Sequence, residues 1–158
     1  MITSNSGVGT PWATNNRFAL ILLKAKELGL AQTFYLNATG LDVSDHLAGA
    51  YGSARDQAHL LATFYNNFAD LLRCTTLPKA TLKGPASVNT NLDVGKTIGI
   101  IGSKTGFTDL AGGNLAVVVD AGINHPVVIV VLGSTQSGRF TDVENLSQAT
   151  LQYLADQI

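Results

Sequence analysis

The sequence predicts an α+β fold, and two observations carry that expectation. Apolar residues recur at three- and four-residue steps early in the chain and again at its end, whereas the stretch from Ile98 to Leu132 is built of short β-branched runs. With 158 residues the chain fits one domain with room for a core of its own.

The elements follow in order. Residues 1–14 are small and polar, with Gly7, Gly9 and Pro11, and read as a loop. From Asn16 a helix is expected, because Phe18, Ile21, Leu22, Ala25 and Leu28 fall on one face and Gly29 sits at the C-terminal cap position. A second helix starts at Ser53, whose hydroxyl can cap the first turn, with Asp56 three residues on and Leu60, Leu61, Phe64, Phe68 and Leu71 on its apolar face. Pro78 and Pro85 mark an irregular stretch. Ile98–Ser103, Leu115–Asp120 and Val127–Leu132 are then three strands, the last two joined by an antiparallel hairpin through Gly122 and Asn124. Thr141 and Glu144 have capping-box spacing and open a final helix expected to bury Val143, Leu146, Leu151 and Leu154.

Composition excludes several function classes. Ten Lys and Arg against eleven Asp and Glu give a net charge of −1, so no basic excess exists to hold a nucleic-acid backbone. The longest apolar run, Val127–Leu132, is far shorter than the ~20 residues that span a bilayer. The first residues have neither the basic start nor the apolar core of a signal peptide. Cys74 is alone, which excludes an internal disulfide, and is expected to be a small buried hydrophobe. Charged residues are only 13% of the chain, about half the usual fraction, which leaves little for a solvated skin.

Most motif readings fail. Gly95-Lys96-Thr97 resembles the end of a P-loop, but Thr90 stands where its first glycine belongs and a strand follows instead of a helix. His46, His59 and His125 have no metal spacing, and no Gly-x-Ser-x-Gly elbow occurs. Gly102-Ser103-Lys104-Thr105-Gly106-Phe107-Thr108-Asp109, continued by Ala111-Gly112-Gly113-Asn114-Leu115, stands apart. On a strand, Lys104 and Gly106 share one face and Thr105 takes the other, unless a bulge at Gly106 re-aims them. An ammonium and a hydroxyl beside backbone bare of side chain suit an extended peptide that ends in a carboxylate.

Together with Lys24–Leu30, Thr33-Phe34, Asn37–Asp42, Ser53-Ala54-Arg55-Asp56, Asn89-Thr90-Asn91, Leu132-Gly133-Ser134 and Gly138-Arg139-Phe140, this segment resembles the low-molecular-weight D-alanyl-D-alanine carboxypeptidases, a penicillin-binding serine family. The resemblance implies a β-lactamase/transpeptidase-like fold and removal of terminal D-Ala from cell-wall peptides through an acyl-enzyme. It implies that Lys104 supplies positive potential, that Thr105 binds the terminal carboxylate beside Gly106, and that the N–H of Phe107 is an oxyanion-hole donor. Such a donor is worth about 2.7–4 kcal/mol. Arg139 is implied either as a carboxylate helper or as a support of the strand. No metal or organic cofactor is implied, and the substrate places the protein outside the cytoplasm.

The departures define the rest of the expectation. Each of the six lysines is preceded, three residues back, by something other than serine; only Thr76, before Lys79, carries a hydroxyl, and Pro78 argues against a helix there. The Ser-x-x-Lys nucleophile motif is therefore absent from the chain. The second family motif, Ser-x-Asn, has Ser4 as its preferred counterpart (Ser4-x-Ser6), with Thr3-x-Asn5 as the other register. The expectation is a partial domain over residues 1–158, lacking the N-terminal part of the fold, with uncovered apolar surface that makes it associate with itself. Peptide ending in D-Ala-D-Ala is the expected partner, and β-lactams too if the missing segment is supplied. A non-catalytic domain of the same fold, binding cell-wall peptide or a protein, is the alternative; a penicillin-hydrolysing relative would need a water-activating acid that cannot be placed here.

Overall fold

A computed structural model of the chain describes residues 11–80, 86–93, 99–122 and 125–157. Its elements are α1 (Pro11–Glu27), β1 (Phe34–Tyr35), β2 (Ala50–Tyr51), α2 (Ala54–Arg73), β3 (Lys79–Ala80), β4 (Ser87–Val88), β5 (Ile100–Thr108), β6 (Gly112–Asp120), β7 (Pro126–Ser134) and α3 (Gly138–Ala155). The helices and the β5-β6-β7 antiparallel sheet give the expected α+β class. Ser4, Gly95-Lys96-Thr97 and Asn124 lie outside the described residues.

Strand β6 organises the core. It is paired on both sides and its Val117 and Val118 are wholly buried. Because side chains alternate along a strand, Leu115, Val117 and Val119 join Ile129 and Val143 of α3 on one face, while Val118 meets Leu61 and Leu72 of α2 on the other. A β-branched run with no polar alternation is what a strand covered on both faces requires. Each of the three strands extends beyond its β-branched run, β5 as far as Thr108. Glycines and polar residues make up most of these extensions, so hydropathy alone stops short of them.

Helix α1 begins at Pro11, where a loop was expected. Proline has its φ preset for the first helical turn and lacks an N–H that this turn leaves unpaired anyway. Gly29, at φ 67°, ends the helix as expected, with Leu30 N–H returning to the Ala25 carbonyl at 3.0 Å. The hydroxyl of Ser53 caps α2 by accepting from Asp56 N–H at 3.1 Å. The buried Asp56 carboxylate then accepts from Gln32 N–H at 2.7 Å and Thr33 Oγ1 at 2.8 Å, tying α2 to the loop after α1.

Five expectations are corrected. In α2, Phe68 leaves the helical region (φ −142°, ψ 42°) and is exposed with Leu71, while Leu72 turns inward under the sheet. Cys74 is exposed, because it opens the 3₁₀ turn Cys74–Thr76 just after Leu72 has taken the inward position. The stretch around the prolines contains a two-residue ribbon, Lys79↔Val88 and Ala80↔Ser87. Helix α3 starts at Gly138, whose N–H meets Thr135 Oγ1 at 2.8 Å, so Thr141 lies inside the helix and does not cap it. Leu146 and Leu151 are 45% and 42% exposed, because only the line Arg139–Val143–Ser147 is seated on a sheet three strands wide.

These burials predict contrasting costs. Leu115→Ala should destabilise the fold by about 2–5 kcal/mol, and Leu146→Ala by no more than about 0.5 kcal/mol. Urea denaturation of the two variants checks the assignment; equal losses would restore Leu146 to the core.

Candidate functional site

Strand β5 is the edge strand of its sheet, so its outer side is open wherever another element does not cover it. Near its start it is covered. Ser103 N–H donates to Thr75 Oγ1 at 2.9 Å, and Thr75 Oγ1 donates to the Leu72 carbonyl at 2.6 Å, which fixes the end of α2 against the edge. A Cβ on Gly102 would collide with the Leu72 side chain, so this contact requires glycine. Thr105 and Phe107 follow Ser103 at two-residue steps, and a regular ladder turns their N–H groups to the same outer side.

The register with β6 runs unbroken from Gly102 to Thr108, the irregularity lying earlier, between Ile100 and Gly102. There is therefore no bulge at Gly106: Lys104 and Gly106 share one face of the strand and Thr105 stands on the other, opposite Leu115. All three residues, with Phe107, line a broad groove that also takes in Tyr51, Thr90, Asn114 and Arg139. Lys104 Nζ donates to the Thr105 carbonyl. The Thr105 side chain is buried, with its hydroxyl 2.5 Å from that of Thr90.

Arg139, in the first turn of α3, is 6% exposed and donates from Nη1 to the Gly106 carbonyl at 2.7 Å. Its guanidinium carbon lies 4.9 Å from the centre of the Phe140 ring, and its Nε has no partner among the described residues. Sequence reasoning left Arg139 between two roles; its observed contact is with the strand backbone. Burial lowers the Arg139 pKa from its ordinary value. Burial also lowers the pKa of the Lys104 ammonium, and the nearby Arg139 charge lowers it further. Among the described residues no carboxylate lies within ion-pair distance of either cation. Two positive groups thus share one end of the groove with no counter-charge within ion-pair distance among the described residues.

The turn after the site is held from a distance. Asp42 accepts from Thr108 Oγ1 at 2.9 Å and from Leu110 N–H at 3.2 Å, and Thr108 Oγ1 in turn accepts from Ala111 N–H at 3.1 Å. Asn114 bridges the sheet, donating to the Gly112 carbonyl at 2.9 Å and accepting from Gly133 N–H at 3.0 Å. A Cβ on Gly113 would run into the Thr135 carbonyl oxygen. A Cβ on Gly106, by contrast, would first meet the Asn114 Cβ at an ordinary 3.6 Å, so the fold does not require glycine there. Sequence reasoning gave no role to Thr75, Thr90 or Asp42. The Asn-Thr-Asn triplet and the Gly-Leu-Asp ending were visible as family features, but nothing local signalled Thr75. Thr76 and Lys79 lie on different elements, and Thr76 Oγ1 is turned to the Arg73 carbonyl at 2.8 Å.

A lysine with a lowered folded-state pKa loses its proton at lower pH than in the unfolded chain. Between the two values the unfolded chain binds more protons, so this group's contribution to stability rises with pH through that window. NMR titration of the Lys104 ε-methylene should give a midpoint below that of a model lysine peptide, near 10.4, and Arg139→Gln should move it upward. A midpoint equal to that of the peptide would show that the ammonium is not desolvated.

Comparison with known proteins identifies the family and the fold. The family model described as D-alanyl-D-alanine carboxypeptidase matches residues 15–136. The D-alanyl-D-alanine carboxypeptidase DacF of Bacillus subtilis is 34% identical over 128 residues, which span 78% of this chain and 32% of that protein. Penicillin-Binding Protein D2 of Listeria monocytogenes, solved in a cefotaxime-bound form, superposes with a TM-score of 0.74 at 30% identity, covering 83% of this chain and 53% of that one. A Streptomyces K15 DD-transpeptidase mutant shares the fold at TM-score 0.73 and 22% identity, over 90% of this chain and 57% of that one. The chain spans about a third of the curated relative and about half of these structures. Its sequence and fold place it in the D-alanyl-D-alanine carboxypeptidase family, with the penicillin-binding, transpeptidase-like architecture.

Proposed function

We propose that Lys104, Thr105 and Gly106, with the N–H of Phe107, form the ligand-binding strand of a serine-type D-alanyl-D-alanine carboxypeptidase site, acting on cell-wall peptides outside the cytoplasm. The observation that carries this is the open outer edge of β5, bordered by a cation and a hydroxyl, with no carboxylate within ion-pair distance of the cation among the described residues. An extended peptide adds to such an edge by main-chain hydrogen bonds, and its terminal carboxylate supplies the missing negative charge. Lys104 provides positive potential, Thr105 a directional donor, and Gly106 the clearance for close approach. Phe107 N–H faces the developing oxyanion of an acyl-transfer step. Arg139 holds Gly106 in place from behind.

The chain has no Ser-x-x-Lys, so the nucleophile of the family reaction is not among its own residues and this chain by itself binds without turning over. The alternative is a non-catalytic domain that keeps the peptide site. β-Lactams, as bound by the Listeria relative in its cefotaxime form, become ligands where a nucleophile is supplied. No helix among the described residues is long and apolar enough to cross a membrane.

The test is titration of the chain with Nα,Nε-diacetyl-Lys-D-Ala-D-Ala. Binding should disappear when the peptide's C-terminus is amidated, and Gly106→Ala should weaken it on the order of tenfold or more with thermal stability unchanged. Intact mass after excess benzylpenicillin should show no adduct. A stable gain of one penicillin would mean that a hydroxyl of this chain is activated, and equal binding of the amidated peptide would remove the carboxylate site.

Self-association belongs to the same reading. β7 leaves a nine-residue edge without a strand partner among the described residues, and Leu146, Leu151 and Tyr153 of α3 are exposed nearby in the fold. Sedimentation velocity should show a concentration-dependent dimer, which Tyr153→Lys on the exposed side of α3 reduces; a monomer at all concentrations would end this part of the proposal.

A further inference from the structure

Thr90 touches the site without belonging to the strand that forms it. Its hydroxyl lies 2.5 Å from that of Thr105, and either oxygen could be the donor. Chemistry decides between the two arrangements once an anion is the ligand. Thr105 has a single hydroxyl proton. If it donated that proton to Thr90, it would present only lone pairs to an arriving carboxylate. If Thr90 donates instead, the Thr105 proton is free to point into the groove, and the two bonds polarise each other in one direction.

Thr90 is also held rigidly enough to impose that choice. It sits between two asparagines whose side-chain oxygens each accept from a backbone N–H. Asn89 Nδ2 donates to the carbonyls of Thr75 at 2.7 Å and Leu77 at 2.9 Å, and Asn89 Oδ1 accepts from Asn91 N–H at 2.9 Å. The Asn89 N–H is bonded to the Pro78 carbonyl at 2.9 Å, and buried Asn91 accepts from Asp93 N–H at 3.1 Å. Thr75 is itself anchored to β5 through Ser103. The Asn-Thr-Asn triplet is thereby fastened to the same edge strand that carries Thr105.

We propose that Thr90 is a positioning residue, whose hydroxyl donates to Thr105 Oγ1 and so fixes the Thr105 side chain in one rotamer with its proton directed at a ligand carboxylate. The proposal deepens the reading of Thr105 given above and rests on it. It divides the triplet between a frame, supplied by the two asparagines, and a presented group, the threonine hydroxyl.

The experiment compares Thr90→Val, which keeps shape and removes the hydroxyl, with Thr90→Ser, which keeps the hydroxyl. Thr90 is exposed, so neither change burdens the core. The first readout needs no ligand: three-bond couplings to the Thr105 methyl report its χ1 population. One rotamer is expected in the wild type and in Thr90→Ser, and a spread over several in Thr90→Val. The second readout is the affinity for Nα,Nε-diacetyl-Lys-D-Ala-D-Ala, expected to fall about three- to tenfold in Thr90→Val and to be recovered in Thr90→Ser. A single Thr105 rotamer in Thr90→Val overturns the proposal, as does an equal loss of affinity in both variants. If the wild type binds no peptide, the carboxylate-site reading fails, while the rotamer comparison still decides whether Thr90 orients Thr105.

Discussion

The unpaired edge of β5 is the constraint on which the rest of this structure depends. Backbone N–H and C=O groups on such an edge need partners or water, and the chain treats the two ends of the edge differently. Near the start of β5, Thr75 and Leu72 close the edge, and Gly102 gives up its side chain to admit them. Toward Phe107 nothing of that kind intervenes among the described residues, and the groove begins there. The boundary between the covered and the open part of one strand is the boundary between scaffold and site.

Electrostatics sharpens that division. Burying part of a cation without a counter-charge raises its free energy, which is why the lysine and the arginine at the groove end both have lowered pKa values. A folded protein relieves such a penalty easily, since one acidic side chain on a neighbouring loop would suffice. Asp42 is near in the fold, yet its two oxygens are taken by Thr108 and Leu110. The acid is spent on holding the turn, and among the described residues neither cation has a carboxylate within ion-pair distance. This arrangement is unfavourable for stability, and under the proposed function a ligand carboxylate would offset the lost solvation.

The three strands and the second helix were legible in the sequence because each is dominated by local pattern. Val117, Val118 and Val119 announce a doubly covered strand, and Ser53 with Asp56 announces a helix start. Lys104, Thr105 and Gly106 were legible as a motif because contiguous residues on one strand carry it. The remainder was not, since it rests on contacts between residues far apart in sequence. Thr75 reaches Ser103 without any mark in its own neighbourhood, and Asp42, visible only as the end of a family segment, reaches Thr108. Helix α3 misled for a related reason: Thr141 and Glu144 have capping spacing, but Thr135, just after β7, reaches the helix first. Its leucines at 146 and 151 match an apolar pattern, yet a narrow sheet seats only one line of the helix. Pattern states what could be buried; how much is buried depends on the width of the surface offered.

The glycines separate the demands of folding from those of the site. At Gly113 an added methyl would collide with the Thr135 backbone, and at Gly102 with Leu72, so packing accounts for both. Gly106 has neither excuse: its backbone is not in the left-handed region, and an added Cβ would meet only an ordinary contact. A residue whose bareness the folded chain does not need is free to serve what comes from outside. Its neighbours agree, since Arg139 steadies its carbonyl and the groove opens along its strand. Under the proposed function, the space a side chain would fill at Gly106 is space for the backbone of a ligand lying against β5 as one more strand.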